Sequence, residues 1–347
     1  MNELEKTKRE KIKRDKPLVY EKMLKIVERE RNGELVCRID IGYNYACNLR
    51  CQHCMANSFT KKERSLTLDD LGSIALQADA LGWCQFNVSG GEPLILKDFD
   101  AVLQALMPDR FHIGISTNGY FLTPDKAKHL KGIGLDKVMI SIDDASPELH
   151  NKNRNNSEAY DKAMSAVWAA KEAELDVILQ YVVTSSNCQT EGTIELAKFA
   201  QENGFSVDII CAKPLGEWEG RQDILITPSD ASFLRKLNTQ YPCVRRDVFS
   251  SYGRGGGCPV FRKCFHLTMY GDLLACVFLH ISLGNIFEES IKDIVERAKK
   301  IKPLQKSQAL CRAGEDREFI NKYCSRFWGK PLPVHYSEIF DKEDYDV

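Results

Sequence analysis

Hydrophobic and polar positions follow two different periods along the central part of the chain. From Val36 onward, short runs rich in β-branched and aromatic residues alternate with longer segments whose apolar residues recur at helical spacing. The pattern predicts six strands, near residues 36–42, 84–89, 111–116, 136–142, 176–184 and 205–211. It predicts helices near residues 67–82, 98–107, 124–132, 157–174, 190–203 and 229–239.

Strands that alternate with helices pair in parallel through right-handed crossovers. The pattern therefore predicts an α/β fold with a six-stranded parallel sheet, either doubly wound or curled into part of a (β/α) barrel. In both arrangements the carboxyl ends of the strands, and the loops that follow them, form the active face.

The regions on either side of this core lack its rhythm. Residues 1–35 form a charged extension, for which we expect a helical segment with a solvated charged face. A glycine-rich stretch at 252–257 precedes a predicted hairpin at 265–278 and a predicted helix near 288–301. We expect four parts: the extension (1–35), the core (36–240), a small second module (241–330) and an acidic tail (331–347) that is docked or mobile.

Length and charge exclude several classes of function. The 347 residues suffice for one large α/β unit with a small appendage. The 48 basic and 49 acidic residues give a net charge of −1, so bulk electrostatics favours neither nucleic acid nor an anionic membrane as a partner. No apolar run approaches the roughly 20 residues that span a bilayer, and the N-terminus lacks the apolar core of a secretory signal. We expect a cytoplasmic protein, in which disulfides are rare, so its 13 cysteines require another explanation.

Three of these cysteines, Cys47, Cys51 and Cys54, lie in the loop after the first predicted strand. Structural zinc takes four ligands, and a [4Fe–4S] cluster normally takes four thiolates. Three local thiolates leave one iron of a cluster open, and an open metal position is typical of a reactive site. The spacing favours an iron–sulfur site, with zinc completed from elsewhere and coincidence as the alternatives.

Polar residues follow the next three strands at the same predicted edge. The second strand ends in Ser89-Gly90-Gly91-Glu92-Pro93, the third in Ser116-Thr117-Asn118-Gly119 and the fourth in Ser141-Ile142-Asp143. Two glycines allow a backbone to approach a ligand closely, and Glu92 offers a carboxylate to an ammonium group. Alternation along a strand places Ser141 and Asp143 on one side. Each motif is weak alone, but together they predict a ligand pocket beside the cysteines.

With these motifs, residues 36–215 resemble the radical S-adenosylmethionine (SAM) superfamily. The resemblance implies a partial (β/α)6 barrel and a [4Fe–4S] cluster bound by Cys47, Cys51 and Cys54, whose fourth iron is chelated by SAM. It implies reductive cleavage of SAM to a 5′-deoxyadenosyl radical, which abstracts a hydrogen atom from the substrate, and a reductant such as flavodoxin or ferredoxin. A non-catalytic zinc or iron–sulfur protein is the alternative from another class, although such a protein has no use for a SAM pocket.

The resemblance also implies individual cofactor-binding roles. The residues concerned are His53, Gly90, Gly91, Glu92, Asn118, Ser141, Asp143 and Arg154. His53 stands where the family usually has an aromatic residue that borders the adenine, and Gly90 to Glu92 match the motif that binds the methionine amino group. Ser141 and Asp143 match ribose-contacting positions. Arg154 lies where relatives pair an arginine with the SAM carboxylate; a solvated loop arginine is the alternative.

The C-terminal cysteines resemble a second motif of one branch of this superfamily. Cys258 and Cys276, with Gly271 between them, match the start of the SPASM and twitch extensions, but the dense cysteine run of a full SPASM module is absent. We therefore expect a twitch-like module with one auxiliary [4Fe–4S] cluster. Its expected ligands are Cys258, Cys276, Cys311 and Cys324, with Cys264 as a competing ligand and a zinc site as the alternative.

The substrate is less constrained than the cofactors. Relatives with such extensions mostly modify ribosomally made peptides, by crosslinking or epimerisation for example, and others oxidise small molecules such as aminocyclitols. We expect a peptide, with a small molecule such as an aminocyclitol or sugar as the alternative. Cys211, at the end of the sixth strand, is a candidate hydrogen donor for an epimerase, although a buried packing role is the competing interpretation. The segment 213–221 is a candidate substrate contact.

Overall fold

A six-stranded parallel sheet forms the centre of the molecule. The structure, a computed structural model, describes residues 3–246, 248–249, 256–306 and 308–346. The strands are β1 (Arg38–Asn44), β2 (Gln85–Gly90), β3 (His112–Thr117), β4 (Lys137–Ser141), β5 (Asp176–Val183) and β6 (Ser206–Cys211). Each pairs in parallel with the next. The predicted α/β fold with a partial (β/α)6 barrel is confirmed.

Helices cover the outer face of this sheet. They are α3 (Leu68–Ala80), α4 (Phe99–Ala105), α5 (Pro124–Gly132), α6 (Pro147–Arg154), α7 (Ala159–Glu172), α8 (Glu191–Asn203) and α9 (Pro228–Gln240). Thr67 and Thr227 begin α3 and α9 with reciprocal capping boxes, which satisfy otherwise orphaned N–H groups. The short helix α6 was not predicted. Its polar composition gives no apolar stripe, and a serine cap at Ser146 starts it.

The two faces of the sheet differ in chemistry. Every second residue of β1 to β3 is a buried aliphatic or aromatic side chain that packs against the helices: Ile39, Ile41, Phe86, Val88, Ile113 and Ile115. The alternate residues face inward and line a cavity of about 500 Å³: Arg38, Asp40, Gln85, Asn87, Ser89, His112 and Ser116. The concave face of the barrel is therefore a polar lumen.

Two N-terminal helices, α1 (Glu3–Asp15) and α2 (Pro17–Arg31), close the end of the barrel opposite the cysteine loop. Their basic side chains donate to groups at the starts of successive strands. Lys8 reaches Ser206 Oγ (3.3 Å), Lys16 reaches the carbonyls of Phe111 (3.0 Å) and Gly134 (2.9 Å), Lys22 reaches that of Trp83 (3.1 Å), and Arg29 reaches those of Leu81 (2.8 Å) and Gly82 (3.0 Å). The expected solvated face is wrong for these residues, because their charged groups donate to a hydroxyl or to backbone carbonyls under the barrel.

The C-terminal region continues the same sheet. Strand β8 (Cys264–Leu267) pairs in parallel with β1, and β9 (Asp272–Cys276) pairs with β8 as the predicted hairpin. Gly271 turns this hairpin at a φ of +83°. Three further strands were not predicted: β7 (Val244–Arg246), β10 (Leu279–Asn285) and β11 (Val334–His335). Together they complete an eleven-stranded sheet in the order β11-β10-β9-β8-β1-β2-β3-β4-β5-β6-β7.

Short helices and the tail pack on this C-terminal part. The helices are α10 (Ile291–Ala298), α11 (Lys302–Gln305) and α12 (Arg317–Lys322). In the tail, Ile339 and Phe340 are buried, so the described tail residues are docked on the protein. Most of the glycine-rich stretch 252–257 lies outside the described residues. None of the helices in the described part of the chain is long and apolar enough to cross a membrane.

Candidate active site

The three clustered cysteines lie at the carboxyl end of β1, where the lumen opens. All three are half-buried. Burial raises the pKa of the Cys51 thiol, the neighbouring Arg154 lowers it, and the charges of Asp143, Cys54 and Cys47 raise it. Two side chains approach the sulfurs: Arg154 Nη1 is 3.6 Å from Cys51 Sγ, and Asn118 Nδ2 is 3.9 Å from Cys47 Sγ. Donors of this kind tune thiolates that bind metals.

Gly90 and Gly91 pack against the backbone that leads into the cysteine loop. Gly91 N donates to Asn44 O (2.8 Å), and Glu92 N donates to Ala46 O (2.9 Å). A Cβ at Gly90 would lie 1.9 Å from Asn44 O, and one at Gly91 would lie 2.1 Å from Ala46 O. Gly90 also has a φ of +125°. The two glycines therefore do allow a close approach, and the group that they approach in this structure is the backbone of the cysteine loop.

Glu92 connects the ends of β2 and β3. Its side chain is fully buried and accepts hydrogen bonds from Thr117 Oγ1 (2.7 Å), Asn118 N (2.8 Å) and Leu94 N (3.0 Å). Burial raises the pKa of this carboxyl, and the three hydrogen bonds oppose that shift. In this structure both carboxylate oxygens hold the neighbouring strand end, so a direct contact with the methionine amino group stays a prediction.

Asp143 and Arg154 form a buried ion pair behind the cysteine loop. Arg154 donates through Nε and Nη2 to the two oxygens of Asp143, both at 2.6 Å. Asp143 N donates to His150 Nδ1 (3.0 Å), which anchors the strand end to α6. Ser141 and Arg154 line the cavity, while Asp143 lies behind the guanidinium. Arg154 is therefore not the solvated loop arginine that the alternative reading assumed.

The segment 213–221 covers the cysteine loop from the side of β6. Gly216 has a φ of +60°, and a Cβ there would lie 2.2 Å from Cys54 O. Glu217 N donates to the same oxygen (3.3 Å). The ring of Trp218 lies 5.7 Å from the ring of His53, and burial lowers the pKa of His53. The two aromatic side chains form one wall of the cavity above the cysteines.

The C-terminal cysteines gather at the β8–β9 hairpin. The register pairs His266 with Leu274, which places Cys264 and Cys276 opposite each other. The hydrogen bond with the Cys264 thiol and burial both raise the pKa of Cys276, and the charge of Cys258 adds to the shift. Cys258 and Cys311 both act on the guanidinium of Arg312. Four thiols, those of Cys258, Cys264, Cys276 and Cys311, therefore lie in one region of the molecule.

Cys324 has different surroundings. Its thiol is buried, with 1% of the residue exposed, and burial together with the charge of Asp316 raises its pKa. It follows α12 in a short 3-10 helix, not on the hairpin. The arrangement favours Cys264 over Cys324 as the companion of Cys276.

Both cysteine groups consist of thiols, the ligands that iron–sulfur clusters take. Within the described residues, no three His, Cys, Asp or Glu side chains are close enough together to bind one metal ion. A four-iron cluster does not require such proximity, because each thiolate binds a different iron. Thiolate-rich sites also favour iron–sulfur clusters over hard cations.

A single cavity joins the two cysteine groups. It is lined by Cys47, Cys51 and Cys54 at one side and by Pro259, Val277 and Phe278, neighbours of Cys258 and Cys276, at the other. Lys213 also lines this cavity, with its Nζ 4.0 Å from the centre of the Phe278 ring. A group bound in this cavity would lie between the two metal sites.

Cys211 ends β6 at the edge of the cavity, whose lining includes it. It alternates with Val207 and Ile209 in the buried core, whereas Asp208 and Ile210 are partly exposed towards the lumen. Its fully buried thiol lies near Cys188, whose pKa it raises. Burial supports the packing interpretation, and because Cys211 also lines the cavity its hydrogen-donor role stays a prediction.

Several residues of the site escaped the sequence analysis. They are the inward-facing Asn87, Lys137 and His266, which line the cavity. Trp218 also lines it, and it belongs to the predicted segment 213–221. The sequence did contain a signal for the missed residues: every second residue of several strands is polar, as Arg38 and Asp40 are in β1. Such alternation is typical of a barrel whose interior is lined by polar side chains.

Comparison with known proteins agrees with this site. The family model of the radical SAM superfamily matches residues 43–210, and that of the SPASM iron–sulfur cluster-binding domain matches residues 258–324. The chain therefore belongs to the radical SAM superfamily and carries a SPASM-type domain after its barrel. It is an enzyme, and its cofactors are SAM, a [4Fe–4S] cluster in the barrel and auxiliary iron–sulfur in the C-terminal domain.

Individual relatives are distant. A GTP 3′,8-cyclase of Acidothermus cellulolyticus is 25% identical over 62% of this chain and 61% of its own length, so the chain spans less than two thirds of that relative. The mycofactocin maturase of Mycolicibacterium smegmatis is 29% identical over 50% of this chain and 43% of its own. The crystal structure of Streptococcus suis SuiB bound to the precursor peptide SuiA superposes with a TM-score of 0.60 at 17% identity, covering 80% of this chain and 68% of SuiB. This last likeness shows the fold.

Proposed function

We propose that this radical SAM enzyme modifies a peptide, by crosslinking or epimerisation. The observation that supports the proposal is the cavity lined by both cysteine regions, in which a bound substrate group would lie between the SAM site and the auxiliary site. The similarity to a mycofactocin maturase, and the fold shared with SuiB, whose structure contains its precursor peptide SuiA, support a peptide substrate. A flavodoxin or ferredoxin as the electron donor stays a prediction.

For the SAM site we assign Cys47, Cys51 and Cys54 as the thiolates of the barrel cluster. When bound, SAM and this cluster supply the reductive cleavage that generates the hydrogen-abstracting radical. Arg154 and Asn118 donate towards two of the sulfurs. Gly90, Gly91 and Glu92 hold the cysteine loop against β2 and β3.

The remaining predicted contacts form the walls of the same site. Ser141 and Arg154 line the cavity, and Asp143 orients Arg154 through two hydrogen bonds. His53 and Trp218 form an aromatic wall suited to a nucleobase, since flat rings stack on aromatic faces.

For the auxiliary site we propose Cys258, Cys264, Cys276 and Cys311 as ligands of one [4Fe–4S] cluster. This set replaces Cys324 with Cys264, because Cys264 and Cys276 face each other across the hairpin. Iron and sulfide analysis of the anaerobically reconstituted protein tests the set: two clusters contain about eight irons. Cys264→Ala should lower the content towards about four, while Cys324→Ala should retain about eight; the opposite result would overturn the assignment.

The catalytic proposal is tested with SAM and dithionite. The reconstituted enzyme should release 5′-deoxyadenosine, and Cys51→Ala should abolish the release. With short peptides encoded beside its gene, mass spectrometry should detect loss of two hydrogens for a crosslink, or deuterium uptake from deuterated water for an epimer. Release of 5′-deoxyadenosine without change in any such peptide would exclude the peptide substrate and leave the enzyme class intact.

A small molecule is the second candidate substrate. The observation in its favour is the lumen itself, which is lined by charged side chains and closed by α1 and α2 at the end away from the cysteines. A closed polar pocket can enclose a whole small molecule as readily as a single side chain.

A further inference from the structure

A row of inward-facing side chains crosses the lumen at mid-depth. Strand register aligns His266 with Asp40, Asp40 with Asn87, Asn87 with Gly114, and Gly114 with Lys137. Registered partners in adjacent strands project to the same face of a sheet. Four of these five positions line the cavity; the exception is Gly114.

Gly114 gives Lys137 its direction. A Cβ at position 114 would lie 2.4 Å from Lys137 Cε and 2.7 Å from Lys137 Cγ. The lysine stem therefore lies over β3, in the space that any other residue would fill, and extends towards Asn87 on β2. Any side chain at position 114 would push the lysine out of this path.

Lys137 carries an ammonium group on the wall of the cavity. Among the described residues, no side chain or carbonyl lies within hydrogen-bond or salt-bridge distance of its Nζ. Two acids, Asp40 and Asp208, act on its charge from a greater distance, and Asp40 is held by Arg38, whose Nε lies 3.0 Å from Asp40 Oδ1. Burial lowers the pKa of Lys137 to about 8, so the group is still mostly charged at neutral pH.

Asn87, on the neighbouring strand β2, has a hydrogen-bond acceptor that is not satisfied within the described structure. The residue is 7% exposed, its Nδ2 donates to Ser116 Oγ (3.2 Å), and its Oδ1 has no hydrogen-bond partner in the described structure. Buried amide oxygens are normally satisfied, because leaving one unpaired costs free energy. A buried acceptor without a partner, on the wall of a cavity, indicates a donor supplied from outside the chain.

We infer that the lumen binds a carboxylate through Lys137, and an N–H or O–H group next to that carboxylate through Asn87. The class of ligand is an α-amino or α-hydroxy acid, either free or as the carboxyl end of a peptide. The assignment deepens the proposed function. It rests on that proposal only in identifying the bound ligand as the substrate.

The position of this row assigns the carboxylate an anchoring role. Lys137 begins β4, four residues before Ser141 at the cysteine end. At about 3.3 Å per residue, the anchor lies roughly 13 Å along the strand from the SAM site. The reacting carbon is then several bonds away from the carboxylate, on the part of the ligand that points back to the cysteines.

Calorimetric titration of the reconstituted holoenzyme, saturated with SAM, tests the site with a matched set of probes. L-Norleucine and 2-hydroxyhexanoate carry both features, hexanoate lacks the adjacent donor, and hexylamine lacks the carboxylate. We expect the first two to bind at least tenfold more tightly than the others. A short peptide ending in norleucine, compared with its C-terminal amide, distinguishes a peptide end from a free amino acid.

Variants assign the contacts. Lys137→Met keeps the stem and should weaken L-norleucine binding at least tenfold, whereas Lys128→Met, on the exposed face of α5, should leave it unchanged. Asn87→Leu should weaken L-norleucine but not hexanoate. If Lys137→Met loses iron or stability, Lys137→Gln and Asn87→Leu provide the same comparison.

The outcomes separate this inference from the proposed function. Equal binding of L-norleucine to the wild type and Lys137→Met, or no binding of any carboxylate probe, overturns the site even if the enzyme cleaves SAM. Specific binding by an enzyme that changes no peptide retains the site and overturns only the peptide proposal.

Discussion

Replacement of Gly91 by alanine tests whether the glycine pair holds the cysteine loop in its catalytic position. A Cβ at position 91 would lie 2.1 Å from Ala46 O and 2.6 Å from Ala46 C. Both atoms belong to the backbone, so no side-chain rotation relieves the contact. Reaching the 3.0 Å that real Cβ atoms respect requires one backbone segment to move by about 0.9 Å.

That movement is transmitted to the reacting centre. Ala46 directly precedes Cys47, and its carbonyl accepts the hydrogen bond from Glu92 N (2.9 Å). Displacements of about 1 Å can cost roughly 100-fold in rate, and overpacking costs about 1–3 kcal/mol of stability. We therefore expect Gly91→Ala to lower the rate of 5′-deoxyadenosine release by roughly 100-fold and the free energy of unfolding by about 1–3 kcal/mol.

The assay measures 5′-deoxyadenosine by chromatography after anaerobic reconstitution and addition of dithionite and SAM. Gly72→Ala is the matched control, because Gly72 lies within α3 and a Cβ there meets no atom within 4 Å. It should keep the wild-type rate and raise stability by up to about 1 kcal/mol. A Gly91→Ala enzyme with the wild-type rate and iron content would refute the reasoning.

Three further predictions concern stability and the cover of the site. Lys16→Met leaves the buried carboxylate of Asp136 without its partner at 2.6 Å and should lower the free energy of unfolding, measured by urea denaturation, by about 3–5 kcal/mol. Adding Asp136→Asn should recover most of this loss, and additive losses in the double variant would contradict the pairing. Burial lowers the pKa of His280 to about 3, below its usual 6.5, so the unfolded chain binds a proton that the folded chain does not. Stability should therefore fall as pH decreases below about 6.5, and less steeply in His280→Phe; identical slopes in the two proteins would exclude this cause. Gly216 has a φ of +60°, and a Cβ there would lie 2.2 Å from Cys54 O, so Gly216→Ala should impair SAM cleavage. Gly132→Ala is the control and should not impair it, because a Cβ at position 132 meets no atom within 4 Å.

The elements of the barrel were predictable because their signals are local. All six parallel strands lie within two residues of their predicted positions, since alternation of buried and inward-facing residues extends along each strand. Helix α6 was missed because it is held by a cap and by the Asp143–His150 contact, not by an apolar stripe.

The C-terminal region shows the limit of local patterns. The hairpin with its glycine turn was predicted, but its parallel pairing with β1 joins residues more than two hundred positions apart. Short strands such as β7 and β11 carry too few residues for a pattern, and they form because an exposed sheet edge is available to them.

The sequence by itself determined the cysteine spacing, the strand-end motifs and hence the class of enzyme, because these depend on residues close together in the chain. Only the tertiary structure decided which distant groups meet: Cys264 beside Cys276, Arg154 on Asp143, the basic residues of α1 and α2 under the barrel, and Lys137 over Gly114 towards Asn87. The physical reason is that side-chain partnership depends on register and on the packing of separate elements. Register and packing cannot be read from a single sequence, which shows only that a polar residue is present and not which residue it contacts.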